Sequence, residues 1–323
     1  MFLNRVHKMR STFALLPASM VLALACHAAQ AAQAAQGFAD PVLGRWNVTL
    51  TAPNGKTYPS WFDIRLHTES SLMATVVGRF GSARHASAVS YKDGKLQLRV
   101  PRQYEGGTGD MVFDGVLDGE RLTGRTVHEG GTAWSAQRAP VLPMRSVTTW
   151  GAPVALFNGR DLAGWRAGGK PCWHVRQGVL AIDGPCTNLI SEEKFGDFKL
   201  HMEFKNVANG NSGLYLRGRY EIQISDAHGQ AADPLRMGAV YGHVRPTVNA
   251  TARAGEWQSL DVTLIGRYVT VVLNGTTVID GQEIPGITGG ALDNDEAAPG
   301  PVMLQGDHTA IAFRKITVAP AIN

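Results

Sequence analysis

The chain has 323 residues, 44% of them hydrophobic, with 31 basic side chains against 27 acidic ones and a formal charge of +4. Three of the basic residues, Arg5, Lys8 and Arg10, fall in the first three dozen positions, where no acidic residue occurs, so the rest of the chain carries only +1 and no cluster of five Lys or Arg. That balance argues against nucleic acid or an anionic membrane surface as a partner.

Residues 1–36 read as a secretory signal peptide: the three basic residues, an apolar run at 13–26, then a small-residue stretch at 28–36. The run is broken by Pro17 and Ser19 and is shorter than the ~20 residues of a spanning helix, and no later segment is more apolar, so no membrane span is expected. A periplasmic or secreted protein is expected, cleaved after an A-x-A such as Ala32-Gln33-Ala34. The alternative is a lipid anchor at Cys26, because Leu22-Ala23-Leu24-Ala25-Cys26 resembles a lipobox with Ala23 in place of the usual Leu. About 285 residues then remain, enough for two domains of ordinary size.

Residues 40–140 break into short alternating runs at 45–51, 61–67, 72–77, 86–91, 95–100, 111–117, 121–128 and 132–139. Pro53-Asn54-Gly55, Lys92-Asp93-Gly94, Gly106-Gly107, Asp118-Gly119 and Gly130-Gly131 supply turns. Eight short strands with no helical period predict a small antiparallel β barrel or sandwich. Gly44-Arg45-Trp46 on the first run and Arg138 on the last resemble the lipocalin-like packing of a Trp under an Arg; the plainer reading is a core Trp near the barrel end.

Residues 141–153 contain Pro, Ser and Thr with little periodicity and read as a linker, which implies that the following domain folds alone. Residues 154–323 again lack helical period, apart from candidate turns at 161–165 and 233–237. Phe198, Leu200, Met202 and Phe204 alternate with polar residues, and Asn274-Gly275 ends another run as a hairpin turn, so a second all-β sandwich with one concave, solvated face is expected. Cys172 and Cys186 flank a predicted hairpin turn and are expected to pair in an oxidising compartment; two buried thiols are the alternative. A metal site there is disfavoured, since there is no C-x-x-C and only His174 lies nearby.

Chemistry concentrates on three runs of this second domain. Period-2 alternation sets Glu221, Gln223 and Ser225 opposite Ile222 and Ile224, and Tyr215 and Arg217 opposite Leu214 and Leu216. His201, Glu203 and Lys205 add a third polar row. Lys199, Lys205 and Asp261 are what an ordinary solvated face needs. A Tyr, an Arg, a Gln and an Asn crowded between glycines are instead the side chains a sugar-hydroxyl network uses.

Taken in order, Phe157-Asn158-Gly159-Arg160-Asp161-Leu162-Ala163-Gly164-Trp165, Trp173-His174-Val175, Gly178-Val179-Leu180, Phe195-Gly196-Asp197-Phe198, Asn211-Ser212-Gly213-Leu214-Tyr215-Leu216-Arg217-Gly218, Tyr220-Glu221-Ile222-Gln223-Ile224-Ser225-Asp226, Gly255-Glu256-Trp257, Leu273-Asn274-Gly275, Leu304-Gln305-Gly306 and Phe313-Arg314 resemble the 3-keto-disaccharide hydrolase domain family over residues 155–318. The resemblance implies a concanavalin A-like (lectin/glucanase) β sandwich and action on sugars already oxidised at C3. It says nothing about residues 40–140.

A C3 ketone acidifies the C2 hydrogen, because the carbanion left behind delocalises as an enolate. A carboxylate can remove that proton, the C1 substituent leaves by β-elimination, and water adds to the enone. Such a site needs a base, an acid and a charge partner for the ketone oxygen. Glu221 is the expected base and Arg217 the enolate partner, with Glu203, Asp226 or His201 as acid; Asn211, Tyr215, Gln223, Trp257, Gln305, His243 and His308 are candidate substrate-binding residues.

Two other readings stay open. Glu221-x-Gln223-x-x-Asp226 resembles the carboxylate strand of laminarinase-type retaining glycosidases, with Gln223 departing from the middle Asp and Asp226 shortening the acid. A non-catalytic carbohydrate-binding module would use Tyr215, Tyr220, Trp257 and Gln305 as a platform. No P-loop or strand-linked G-x-G-x-x-G occurs, so no cofactor is expected and the C3 oxidation would fall to a separate dehydrogenase. The acidic loop Asp293-Asn294-Asp295-Glu296 is a candidate for Ca2+, although it lacks the Gly and the full ligand spacing of a recognised calcium loop.

Overall fold

The computed structural model describes residues 41–68, 71–127, 131–147, 149–169 and 172–322; the expected leader, its cleavage site and Cys26 lie outside the described residues. Every alternating run of the first half becomes a strand: β1 (Gly44–Thr51), β2 (Thr57–Thr68), β3 (Ser71–Val77), β4 (Arg84–His85), β5 (Ala88–Lys92), β6 (Lys95–Val100), β7 (Met111–Asp118), β8 (Arg121–Thr126) and β9 (Ala133–Arg138). They form one antiparallel sheet in the order β4-β3-β2-β1-β9-β8-β7-β6-β5, curled as a half-barrel. Tight turns follow the residues that tolerate them: Asp93 and Gly94 both take positive φ between β5 and β6, the geometry of a two-residue primed turn. Trp46 is fully buried, as the plainer reading of the sequence expects; it is also the register partner, across β1 and β9, of Arg138, whose guanidinium lies 3.9 Å from the centre of the indole ring, the Trp-under-Arg packing of the alternative.

The second half is a concanavalin A-like sandwich built from β10 (Val154–Ala155), β11 (Trp165–Ala167), β12 (His174–Arg176), β13 (Val179–Ile182), β14 (Leu189–Phe195), β15 (Phe198–Asn206), β16 (Asn211–Leu216), β17 (Tyr220–Ser225), β18 (Gln258–Ile265), β19 (Tyr268–Leu273), β20 (Thr276–Glu283), β21 (Gly300–Leu304) and β22 (Ile311–Pro320). One sheet runs β12-β13-β22-β15-β18-β19-β20 with β10 added on β22; the other runs β11-β14-β21-β16-β17. Phe198, Leu200, Met202, Phe204 and Phe313 from the first meet Leu214, Leu216, Ile222, Ile224 and Leu304 from the second in a buried core. The described residues contain no helix, and the candidate turns near 161–165 and 233–237 are single hydrogen-bonded turns. Cys172 and Cys186 form a disulfide across the β12–β13 hairpin, with Cα atoms 6.1 Å apart.

Residues 44–323 make one compact unit. The halves interlock: Trp61 of β2 joins the sandwich core and fills the space over Gly286, where a Cβ would stand 2.3 Å from the indole. Arg45 pairs with Glu283 at 2.6 Å, Asn47 Nδ2 donates to Asn294 O in the loop before β21, and Asn294 Nδ2 donates to Val48 O of β1. The segment expected as a linker lies along the sandwich, with Arg145 paired to Asp197 and Trp150 bridged to Ala321.

β17 ends its sheet, yet five of its six residues are buried. The 238–241 segment takes up its outer backbone groups: Gln223 N–H donates to Ala239, Gly238 N–H to Gln223 and Tyr241 N–H to Glu221.

Candidate active site

β16 and β17 pair with Tyr215 opposite Glu221 and Gly213 opposite Gln223. Because alternation commits Leu214, Leu216, Ile222 and Ile224 to the core, Asn211, Tyr215, Glu221 and Gln223 share the opposite face. That face floors a cavity of about 340 Å3, closed by Asn188, Tyr241, Gly289, Gly290, Gln305, Asp307 and His308, and by Phe80, Gly81 and Tyr104 from the N-terminal sheet. The volume falls at the small end of small-molecule sites, about 300–1,000 Å3.

Glu221 is buried in this floor, 3% exposed. Gly213 makes room for it: a Cβ there would sit 2.3 Å from Glu221 Oε1. Glu221 Oε2 lies 2.9 Å from the Tyr215 hydroxyl, which lies 2.7 Å from the Gly289 carbonyl. A hydroxyl has one hydrogen and a carbonyl can only accept. Tyr215 therefore donates to one of them at a time: to Glu221 when the carboxyl is ionised, or to Gly289 when Glu221 carries a proton and donates it in turn to Tyr215. Burial pushes the Glu221 carboxyl up to about 8; the Tyr215 bond opposes that rise and the Asp307 charge adds to it. Such a carboxyl can exchange its proton near neutral pH.

The remaining polar groups are held in fixed orientations. Gln223 Nε2 donates to Asn211 Oδ1 at 3.0 Å. The loop between β21 and β22 is pinned by Ser212 Oγ donating to Gln305 O, by Gly306 N–H donating to Asn188 Oδ1, and by Thr309 Oγ1 donating to Asn211 O. Gln305 Oε1 is buried without a hydrogen-bond partner among the described residues, an acceptor available to a ligand hydroxyl. Asp307 and His308 stand at the exposed edge, 3.6 Å apart.

Six of the residues singled out in the sequence thus meet in the cavity: Glu221, Asn211, Tyr215, Gln223, Gln305 and His308. Six others do not line it. Arg217 leaves the alternation because it occupies the β16–β17 turn at φ 52°; its buried guanidinium donates to Gly266 O at 2.5 Å and lies 3.4 Å from the Tyr220 hydroxyl, so it is no enolate partner. Glu203 and His201 belong to β15 in the other sheet. There Glu203, despite partial burial, is held below the usual carboxylate range by Lys315 and Arg314, and His201 pairs with Asp261 at 2.7 Å. Asp226 accepts the Asn209 N–H, Trp257 lies under Lys205 and Arg314, and His243 packs edge-on against Trp61 with Nε2 3.0 Å from Ile287 O. Burial holds that imidazole down at about 4.

The sequence reading missed Tyr241, Asp307, Asn188, Phe80 and Tyr104. Asp307 was within reach, adjoining the Leu304-Gln305-Gly306 block; the rest come from loops with no periodic signal. No group of three or more metal-ligating side chains occurs among the described residues. In the acidic loop, Asp293 pairs with Arg219 at 2.6 Å and Glu296 with Arg267 at 3.0 Å.

Residues 152–319, just over half of the chain, match the family described as the 3-keto-alpha-glucoside-1,2-lyase-like domain. The chain belongs to that family. A 3-keto-disaccharide hydrolase of Bacteroides thetaiotaomicron is 30% identical over 100 residues, covering 27% of this chain and 34% of that protein, so only about a third of the relative's length is matched. Two crystal structures of provisionally assigned glycosyl hydrolases from Parabacteroides distasonis also align. One is 27% identical with a TM-score of 0.45, covering 57% of this chain and 94% of its own; the other is 25% identical with a TM-score of 0.42, covering 52% and 99%. Every cavity residue of the sandwich falls within the 3-keto-alpha-glucoside-1,2-lyase-like match, whereas Phe80, Gly81 and Tyr104 fall outside it.

Proposed function

We propose that this protein cleaves 3-keto-glycosides, including 3-keto-disaccharides, and that Glu221 is the base. The observation that carries the reading is a carboxyl at the floor of a sugar-sized cavity, buried, partnered by Tyr215 and poised to exchange a proton near neutral pH. The ionised carboxylate takes the C2 proton, and the C2–H electron pair becomes the enolate of the C3 ketone. Collapse of the enolate expels the C1 oxygen, which leaves protonated, and addition of water across the resulting enone makes the net outcome hydrolysis. The amide groups of Gln305 and Asn188 and the Tyr241 hydroxyl are the donors available to the ketone oxygen. His308, beside Asp307 at the open edge, is placed to protonate the departing oxygen. We also propose that the protein works outside the cytoplasm on substrates oxidised by a separate dehydrogenase.

The glycosidase reading would need Asp226 facing the same cavity as Glu221, and Asp226 is turned to Asn209 instead. The test is turnover of a 3-keto-glucoside and of its unoxidised parent. Glu221→Gln should lower turnover of the keto substrate by at least ~10² while changing affinity little, and the parent should be inert. A Glu221→Gln protein that keeps most of its activity removes the base; cleavage of the parent by the wild type returns the glycosidase; binding of sugar without turnover of either leaves the carbohydrate-binding module.

A further inference from the structure

We propose that the N-terminal sheet supplies the leaving-group subsite of this enzyme, with Phe80 and Tyr104 stacking against a flat, apolar-faced group carried on C1 of the substrate. The inference rests on the reaction proposed above. It begins from depth: the ring to be deprotonated must reach Glu221, which is 3% exposed, so whatever is bonded to C1 extends toward the mouth. At the mouth stand Phe80, 48% exposed, and Tyr104, 71% exposed. Large aromatic surfaces left in water beside a cavity mark a place where a ligand face packs, and a pyranose or an aryl ring has such a face.

This wall is built rigidly. Gly289 and Gly81 touch so closely that a Cβ on Gly289 would lie 2.1 Å from Gly81 O, and Gly290 N–H donates to Arg79 O at 2.9 Å. Arg84 binds both Gln103 and Glu105, and Gln103 Nε2 donates to Ser82 Oγ, tying the chain around Phe80 to the chain around Tyr104. Tyr104 shares the cavity lining with Tyr241 of the sandwich. An ordinary surface loop needs none of these ties.

The experiment uses full-length Tyr104→Ala and Phe80→Ala with three 3-keto-glucosides bearing methyl, phenyl or glucosyl at C1. Because stacking energies of this kind translate to about a tenfold change, kcat/KM should fall about tenfold for the phenyl or glucosyl substrate and less than about twofold for the methyl one, with Tyr104→Phe restoring most of the loss. Whichever of phenyl and glucosyl responds identifies the aglycone as aromatic or sugar. Equal losses on all three substrates, or none, would overturn the proposal. If the wild type turns over no keto substrate, the reaction fails separately. The subsite is then read by calorimetry with phenyl and methyl glucosides: weaker phenyl binding in Tyr104→Ala alone supports it, and indifference, or no phenyl binding by the wild type, overturns it.

Discussion

Replacing Gly213 by Ala should disable the enzyme while leaving it folded. The glycine does not take a positive φ, so alanine meets no backbone strain, and in a strand interior it would ordinarily gain about 0.5–1 kcal/mol. The new methyl, however, would stand 2.3 Å from Glu221 Oε1, 2.9 Å from Cγ and 3.0 Å from Cδ, against roughly 3.5–4.0 Å for comfortable contact. The carboxyl must retreat by about 1 Å, and a displacement of that size costs on the order of 10²-fold in rate. Overpacking should cost about 1–3 kcal/mol, partly offset by the strand term, so the melting temperature should move by only a few degrees. Initial rates on a 3-keto-glucoside, with thermal melts of the same preparations, make the comparison. An alanine variant that melts normally and keeps its rate within about threefold of wild type would refute the placement of Glu221.

Three further outcomes follow from the same geometry. Folding keeps a proton on Glu221 that the unfolded chain releases, so its contribution is full below about 4.5 and is lost as pH rises through about 8; melts should show the wild type losing stability across that window, on the order of 5 kcal/mol, relative to Glu221→Gln, while kcat/KM climbs over the same range. Arg217→Met should act on stability, by roughly 1–3 kcal/mol through the unpaired Gly266 carbonyl, with less effect on kcat than on the melt; a large loss of kcat at unchanged stability would restore Arg217 to the site. Reducing Cys172–Cys186, whose partners are 14 residues apart, should lower the melting temperature by about 6–12 °C, from about 3 kcal/mol of loop entropy; an unchanged melt would count against that estimate.

Local physics made much of this fold legible. Turn residues at short intervals marked eight of the nine strands of the first sheet, missing only the two-residue β4, and period-2 alternation placed Glu221 and Gln223 on one face with Asn211 and Tyr215. Alternation says which side of a strand a residue takes; it does not say which sheet the strand joins. Glu203 and His201 satisfied the same pattern and ended on the outer face of the opposite layer. Arg217 fell at the point where the strand turns, and no period extends through a residue at φ 52°. Phe80 and Tyr104 were hidden for another reason: they reach the cavity from a different sheet, about a hundred residues earlier, through packing that no local pattern encodes.

β17 terminates its sheet, and an open sheet edge invites another chain to add a strand. Here the invitation is withdrawn, since the 238–241 segment already accepts and donates the hydrogen bonds that an incoming strand would need. The strand bearing Glu221 therefore cannot be extended by a peptide or a second copy without first peeling away Tyr241, itself a wall of the cavity. Any assembly of this protein that leaves the site intact must be built from its other surfaces.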